Sequence, residues 1–245
     1  MKYLVLFFLC LSCLFAQEPA VEEWQSKAVF ISDTRIETLK RHLEKQIEPT
    51  HSAFIQMKQK ADKELQREPH TPATWYVPGY YRDAKGHSDS KATLQDDANA
   101  AYQLALCYRM LNDERYAQAA ARLINGWAKL EVLDKKDDSM LSFSYHFPAL
   151  IFAADLLRRS PSWPPAEQET FSKFVRTKAL PMNTVSRANN WGNWGLVLVL
   201  ASAAWLNDQK LFEKGVARWK EFIDSQIAED GHLPHEVTRN GGRSG

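Results

Sequence analysis

Cysteine is nearly missing from these 245 residues: there are three, and two of them, Cys10 and Cys13, fall within the first sixteen positions. With only Cys107 beyond them, no internal disulfide can staple an exported chain, so a packed core must carry the fold. Cys107 itself reads as a small buried hydrophobe. An excess of charge is equally lacking. The 31 basic and 30 acidic side chains leave a formal charge of +1, which advertises neither a nucleic-acid surface nor a membrane surface. A local cluster of basic groups could still hold an acidic polymer. No segment alternates apolar and polar residues strongly enough to compete as a strand.

What is present is apolar mass, 44% of residues, with 8 Trp, 8 Tyr and 12 Phe. That suffices for one large domain. Most of these rings serve a core, although exposed ones are common where sugars stack. Residues 1–16, MKYLVLFFLCLSCLFA, place a lysine before an apolar run and a small residue. This is the pattern of a secretory signal peptide and is too short for a membrane span. Cleavage after Ala16, a tether over 17–32 and a periplasmic or secreted, soluble mature protein are the expectations.

Helical periodicity fills the rest. Ser32 or Asp33 can cap a helix running to about Gln46, and a second helix runs from about Pro49 to Gln66. Residues 67–93, rich in Pro, Gly and aromatic residues, lack helical period and read as a long functional loop. Beyond it, stretches that are apolar nearly all round (96–111, 141–158, 191–206) alternate three times with amphipathic ones (114–130, 166–180, 209–228). A helix without a polar face must be covered on both sides, whereas an amphipathic one can face water. An inner ring of helices wrapped by an outer ring satisfies both, which predicts an all-α (α/α) toroid built of helical hairpins over 33–245.

Three segments carry candidate chemistry. In Arg187-Ala-Asn-Asn-Trp-Gly-Asn-Trp-Gly195, Asn190 and Trp194 share a helix face, as do Asn189 and Asn193. Either Asn189 or Asn190 could simply cap the apolar helix that follows. Gly192 and Gly195 admit another backbone or a ligand. In the tail from Asp230 to Gly245, His232, His235, Glu236, Arg239 and Arg243 crowd a Gly-rich stretch. Pro234 interrupts any helix on which paired histidine ligands would align, so no metal is expected. At Ser144-Tyr145-His146, the histidine reads as a structural residue or a catalyst.

The tracts VPGYYRD, QDDANAAYQLALCYRM, NNWGNWG and LPHEVTRNGGRSG resemble, in order and spacing from about Trp75 onward, the bacterial alginate lyase family. The resemblance implies an α/α toroid and cofactor-free β-elimination on a uronate-containing polysaccharide. A lyase removes the C5 proton beside a carboxylate, so neutral donors or a cation must hold that carboxylate as enolate charge develops. By the family motif Asn190 is the donor and Arg239 the cationic partner. Tyr80, Tyr81, Arg82, Tyr145, Asn189, Trp191, Trp194 and Arg243 are candidate substrate contacts. The family often places His directly after the Asn pair, where this chain has Trp191, which leaves His146 and His235 as candidate bases. It also uses a tyrosine several residues past the tail arginine, whereas this sequence stops at Gly245. The resulting expectation is an incomplete toroid, with part of the flank of helix 191–206 uncovered and little activity of its own. A glycoside hydrolase using Asp96, Asp97 or Glu236 and a non-catalytic polysaccharide-binding protein are the rival readings. Neither reading fixes an oligomeric state.

Overall fold

The computed structural model describes Trp24, Ser26 and residues 28–237. The expectations for residues 1–16, Arg239 and Arg243 lie outside that range. Helices α1 (Asp33–Glu44) and α2 (Thr50–Lys63) form a hairpin packed on α3 (Ala84–Leu111). Three hairpins follow. Helix α3 turns into α4 (Glu114–Trp127), α5 (Ser139–His146) runs through Phe147 into α6 (Pro148–Leu157) and on to α7 (Pro165–Phe174), and α8 (Asn190–Leu206) turns into α9 (Gln209–Gln226). Pro148, which lacks an N–H, marks the break between α5 and α6. A short α10 (Pro234–Val237) closes the described chain.

The near-uncharged stretches form the inner layer: α3 packs on α6, and α8 packs on α5 and α6. Outside them, α4 lies on α3 and α9 on α8, while α7 presents Phe171 and Phe174 to Phe147 at ring distances of 6.0 and 5.6 Å. The result is an all-α toroid fold of packed helical hairpins. On the last hairpin Val197, Trp219 and Ile223 are exposed among the described residues. Cys107 is fully buried in α3, and burial pushes its thiol up to about 12, as suits a core residue.

Two of the turns between inner and outer helices share one construction. Leu111-Asn112-Asp113 ends α3 and Leu206-Asn207-Asp208 ends α8. Each Asn adopts the left-handed conformation (φ 55° and 52°), and each following Asp caps the next helix by accepting from Arg115 or Leu211 N–H. Asparagine tolerates that conformation better than most residues, which lets it end one helix and aim the next.

The loop is shorter than the sequence suggests. Helix α3 begins at Ala84, not near Asp96. Residues 84–93 are poor helix formers, but Asp83 caps them through Gly86 N–H at 2.8 Å and His87 and Leu94 are buried, so tertiary packing overrides propensity. The remaining loop is pinned. Thr74–Trp75 (β1) pairs in parallel with Val132–Leu133 (β2), a two-residue ladder too short to show as alternation. Val77 N–H donates to Ser139 Oγ at 2.9 Å, and the Trp75 ring meets Phe143 edge-on at 5.7 Å. The tether is also docked where it is described: Trp24 packs on Phe212 at 5.4 Å and Phe30 stacks on Phe152 at 4.6 Å.

Asp97 therefore lies mid-helix rather than at a helix N-terminus, and complementing the helix dipole is not its role. Fully buried, it accepts from Arg67 Nε (2.8 Å), His70 N–H (2.6 Å) and Trp127 Nε1 (2.9 Å), with His70 Nδ1 at 2.9 Å. Removing one partner of such a buried charged network strands the others. Asp97→Ala should cost about 3–5 kcal/mol, read as a lower denaturant midpoint. An unchanged midpoint would mean that the network does not hold the loop to the core.

Candidate active site

The site is assembled at the start of α8. Asn189, in an extended conformation, accepts from Trp191 N–H at 3.2 Å and is the N-cap, one of the two roles its position allowed. Asn190 opens the helix, and its own N–H donates to Glu236 Oε1 at 2.7 Å, so the segment bearing α10 closes back on this end. A carboxylate is favoured there by the unpaired amides and the positive end of the helix dipole. Trp191 is half-buried beneath the Arg187 guanidinium, 5.0 Å from its ring.

The two glycines admit backbone, not ligand. A Cβ on Gly192 would lie 2.0 Å from Arg187 O, and one on Gly195 would lie 2.4 Å from Val185 N. Residues 184–187 thus lie directly on α8, and Thr184 Oγ1 donates to Trp191 O.

Beside this turn stands the end of α5. Tyr145 packs against Trp194 at 5.5 Å and against His146 at 4.1 Å, while Trp194 stays 41% exposed. Burial raises the Tyr145 phenol, which keeps its proton at neutral pH. His146 is pushed down to about 4, first by burial and then by the positive charge of Lys91 and His87. Its Nε2 is buried without a hydrogen-bond partner. The ring is accordingly a neutral imidazole in the ordinary working range.

The loop completes the cluster. Tyr80 meets His87 edge-on at 5.5 Å and Tyr81 at 5.6 Å, and Tyr81 is 85% exposed. Asp138 accepts from Tyr80 N–H at 2.9 Å and lies 3.5 Å from His87 Nε2. Burial lowers His87, against the pull of Asp138.

Ring contacts join Tyr145, His146 and Trp194, and Asn190 lies one turn before Trp194 on α8. Tyr80, in contact with Tyr81, also meets His87, whose charge acts on His146. Arg82 is exposed and its guanidinium pairs with Asp137, which also accepts from Tyr76. His235 is exposed on α10. Sequence reasoning missed His87, Lys91 and Asp138. His87 and Lys91 are four apart on one face of α3, a signal hidden by reading residues 84–93 as loop. Among the described residues no group of three or more His, Cys, Asp or Glu is gathered as a metal site would require.

The depressed imidazole ties stability to pH. Below its ordinary value near 6.5 the unfolded chain takes a proton that folded His146 refuses until about 4, so stability falls as pH drops through that window. The melting temperature should decline from pH 6.5 to 4, and it should decline less in His146→Gln. Equal slopes would show that the ring is solvated.

No curated protein matches the sequence. Among solved structures, an alginate lyase from Bacteroides ovatus is 20% identical with a TM-score of 0.68, covering 87% of this chain and 70% of that one. Alginate lyase A1-III from Sphingomonas species A1 is 18% identical with a TM-score of 0.68, covering 90% of this chain and 65% of that one. At such identities the likeness speaks for the fold, and this chain spans 65–70% of their lengths. The alginate lyase family model matches residues 43–244, and the chain belongs to that family.

Proposed function

We propose that the chain is a polysaccharide lyase that cleaves alginate or a related polyuronate by β-elimination. The observation that carries this reading is the neutral His146–Tyr145–Trp194 cluster beside the N-terminus of α8, in a chain of this family. Elimination needs a group to take the C5 proton, donors for the developing enolate and an acid for the leaving O4. His146 is available unprotonated above about pH 4. Asn190 supplies a neutral amide at the positive end of a helix. Tyr145 retains the proton to be delivered to O4. The C5–H electrons form the C4=C5 double bond as the C4–O4 bond breaks, so no water is consumed. Trp194, Tyr80 and Tyr81 offer exposed ring faces to the sugar chain. Arg239, beyond the described residues, is assigned the cationic role by the family motif.

Hydrolysis is less well served. Asp97 is fully buried with both oxygens engaged, and Glu236 caps α8, so neither is a carboxyl group ready to flank a glycosidic bond.

Incubation with a panel of polyuronates should yield products with the ultraviolet absorbance of a conjugated C4–C5 double bond. Asn190→Ala should lower turnover by about a hundredfold or more while leaving the melting curve close to that of the parent. New reducing ends without that absorbance would indicate a hydrolase, and no new ends a binding protein. The leader-like run 1–16 supports export to the periplasm or beyond. N-terminal sequencing of the protein from its native host should start near Gln17, and retention of Met1 would refute this.

A further inference from the structure

We propose that the groove between the end of α7 and helix α9 is a second binding site for the anionic polysaccharide, separate from the α8 site. The groove has a volume of about 600 Å³, within the size range of ligand sites. Its floor is apolar, with Val199 of α8 and Leu211 of α9, and its rim carries Arg176, Lys214 and Arg218 against a single carboxylate, Glu221. Three cations to one anion is a local excess of two charges, in a chain whose total is only +1.

That excess is available to a ligand. Arg218 is committed: its Nη1 pairs with Glu221 at 2.7 Å, and its Nε donates to Val185 O at 3.2 Å. Arg176 and Lys214 are exposed and have no ion-pair partner among the described residues. The wide turn Val175–Ala179 buries Val175 and Ala179 and leaves Arg176 outward on the rim. A guanidinium and an ammonium across an apolar floor suit carboxylates repeated along a sugar chain.

The groove is also connected to the chemistry. Val185 lines it, and the same segment, residues 184–187, lies against Gly192 and Gly195 at the first turns of α8. A polymer long enough to engage both places gains affinity by linkage, whereas a short oligosaccharide does not. The substrate class rests on the lyase reading above, but the site is tested by binding.

The test compares the double variant Arg176→Gln/Lys214→Gln with a control of equal charge change on exposed α9 positions, Lys210→Gln/Lys220→Gln. All are prepared in the Asn190→Ala background, and each titration is completed before the residual turnover consumes the polymer, so that calorimetry reads binding. Alginate polymer and alginate trisaccharide serve as probes at low salt. Polymer affinity should fall about tenfold in the groove variant, with a shallower salt dependence, while trisaccharide affinity and the control stay unchanged. Unchanged polymer affinity, an equal loss in the control or no polymer binding by the parent overturns the groove. Polymer binding that depends on Arg176 and Lys214, in a chain that shows no elimination with active-site residues intact, would overturn the reaction and keep the groove.

Discussion

A single buried carboxylate sets the geometry on which the rest relies. Asp97 has no solvent contact, yet it gathers the Arg67 guanidinium, the His70 amide and the Trp127 indole. These partners come from the chain after α2, from the loop and from an outer helix. Burying an ion is costly unless every lone pair is used, and here the compensation consists of joining three separate parts of the chain to the middle of α3. The loop then leaves the core at a fixed point. Further on, the β1–β2 ladder and the Val77–Ser139 hydrogen bond guide it to Tyr80 and Tyr81.

The layering could be read from residues because it follows from solvent alone. A stretch such as Trp191–Leu206 has no charge to give to water, so it must be covered, and its amphipathic partner is what covers it. The opening of α3 could not be read in this way. Gly86, Ser88, Ser90 and Thr93 argue against a helix individually, and the order comes from His87 settling against Tyr80 and Asp138. The same misreading hid His87 and Lys91 from the site and placed Asp97 at a helix start instead of mid-helix. The start of α8 drew attention because two consecutive Asn, two Trp and two Gly exceed what a cap needs, and Asn189 is that cap. Even there the purpose of the glycines, contact with residues 184–187, is a fact of tertiary structure.

Desolvation governs the chemistry of the cluster. The same burial that raises Tyr145 lowers His146, because both groups avoid the charged form in a poorly hydrated setting. A phenol that keeps its proton and an imidazole that lacks one then stand side by side on consecutive residues. The positive charge of Lys91 and His87 adds to the effect on His146. One physical cause thereby shifts two neighbouring groups in opposite directions.

The paired Leu-Asn-Asp joints at 111–113 and 206–208 carry an architectural meaning. Because each joint ends an inner helix with a left-handed Asn and starts an outer one with a capping Asp, the bend of two separate modules is written in the same three letters. At both corners the end of one helix and the start of the next are thus set by three consecutive residues of the chain itself. A corner of this kind places its demand on the Asn and the Asp alone, and leaves the helices on either side to be chosen for packing.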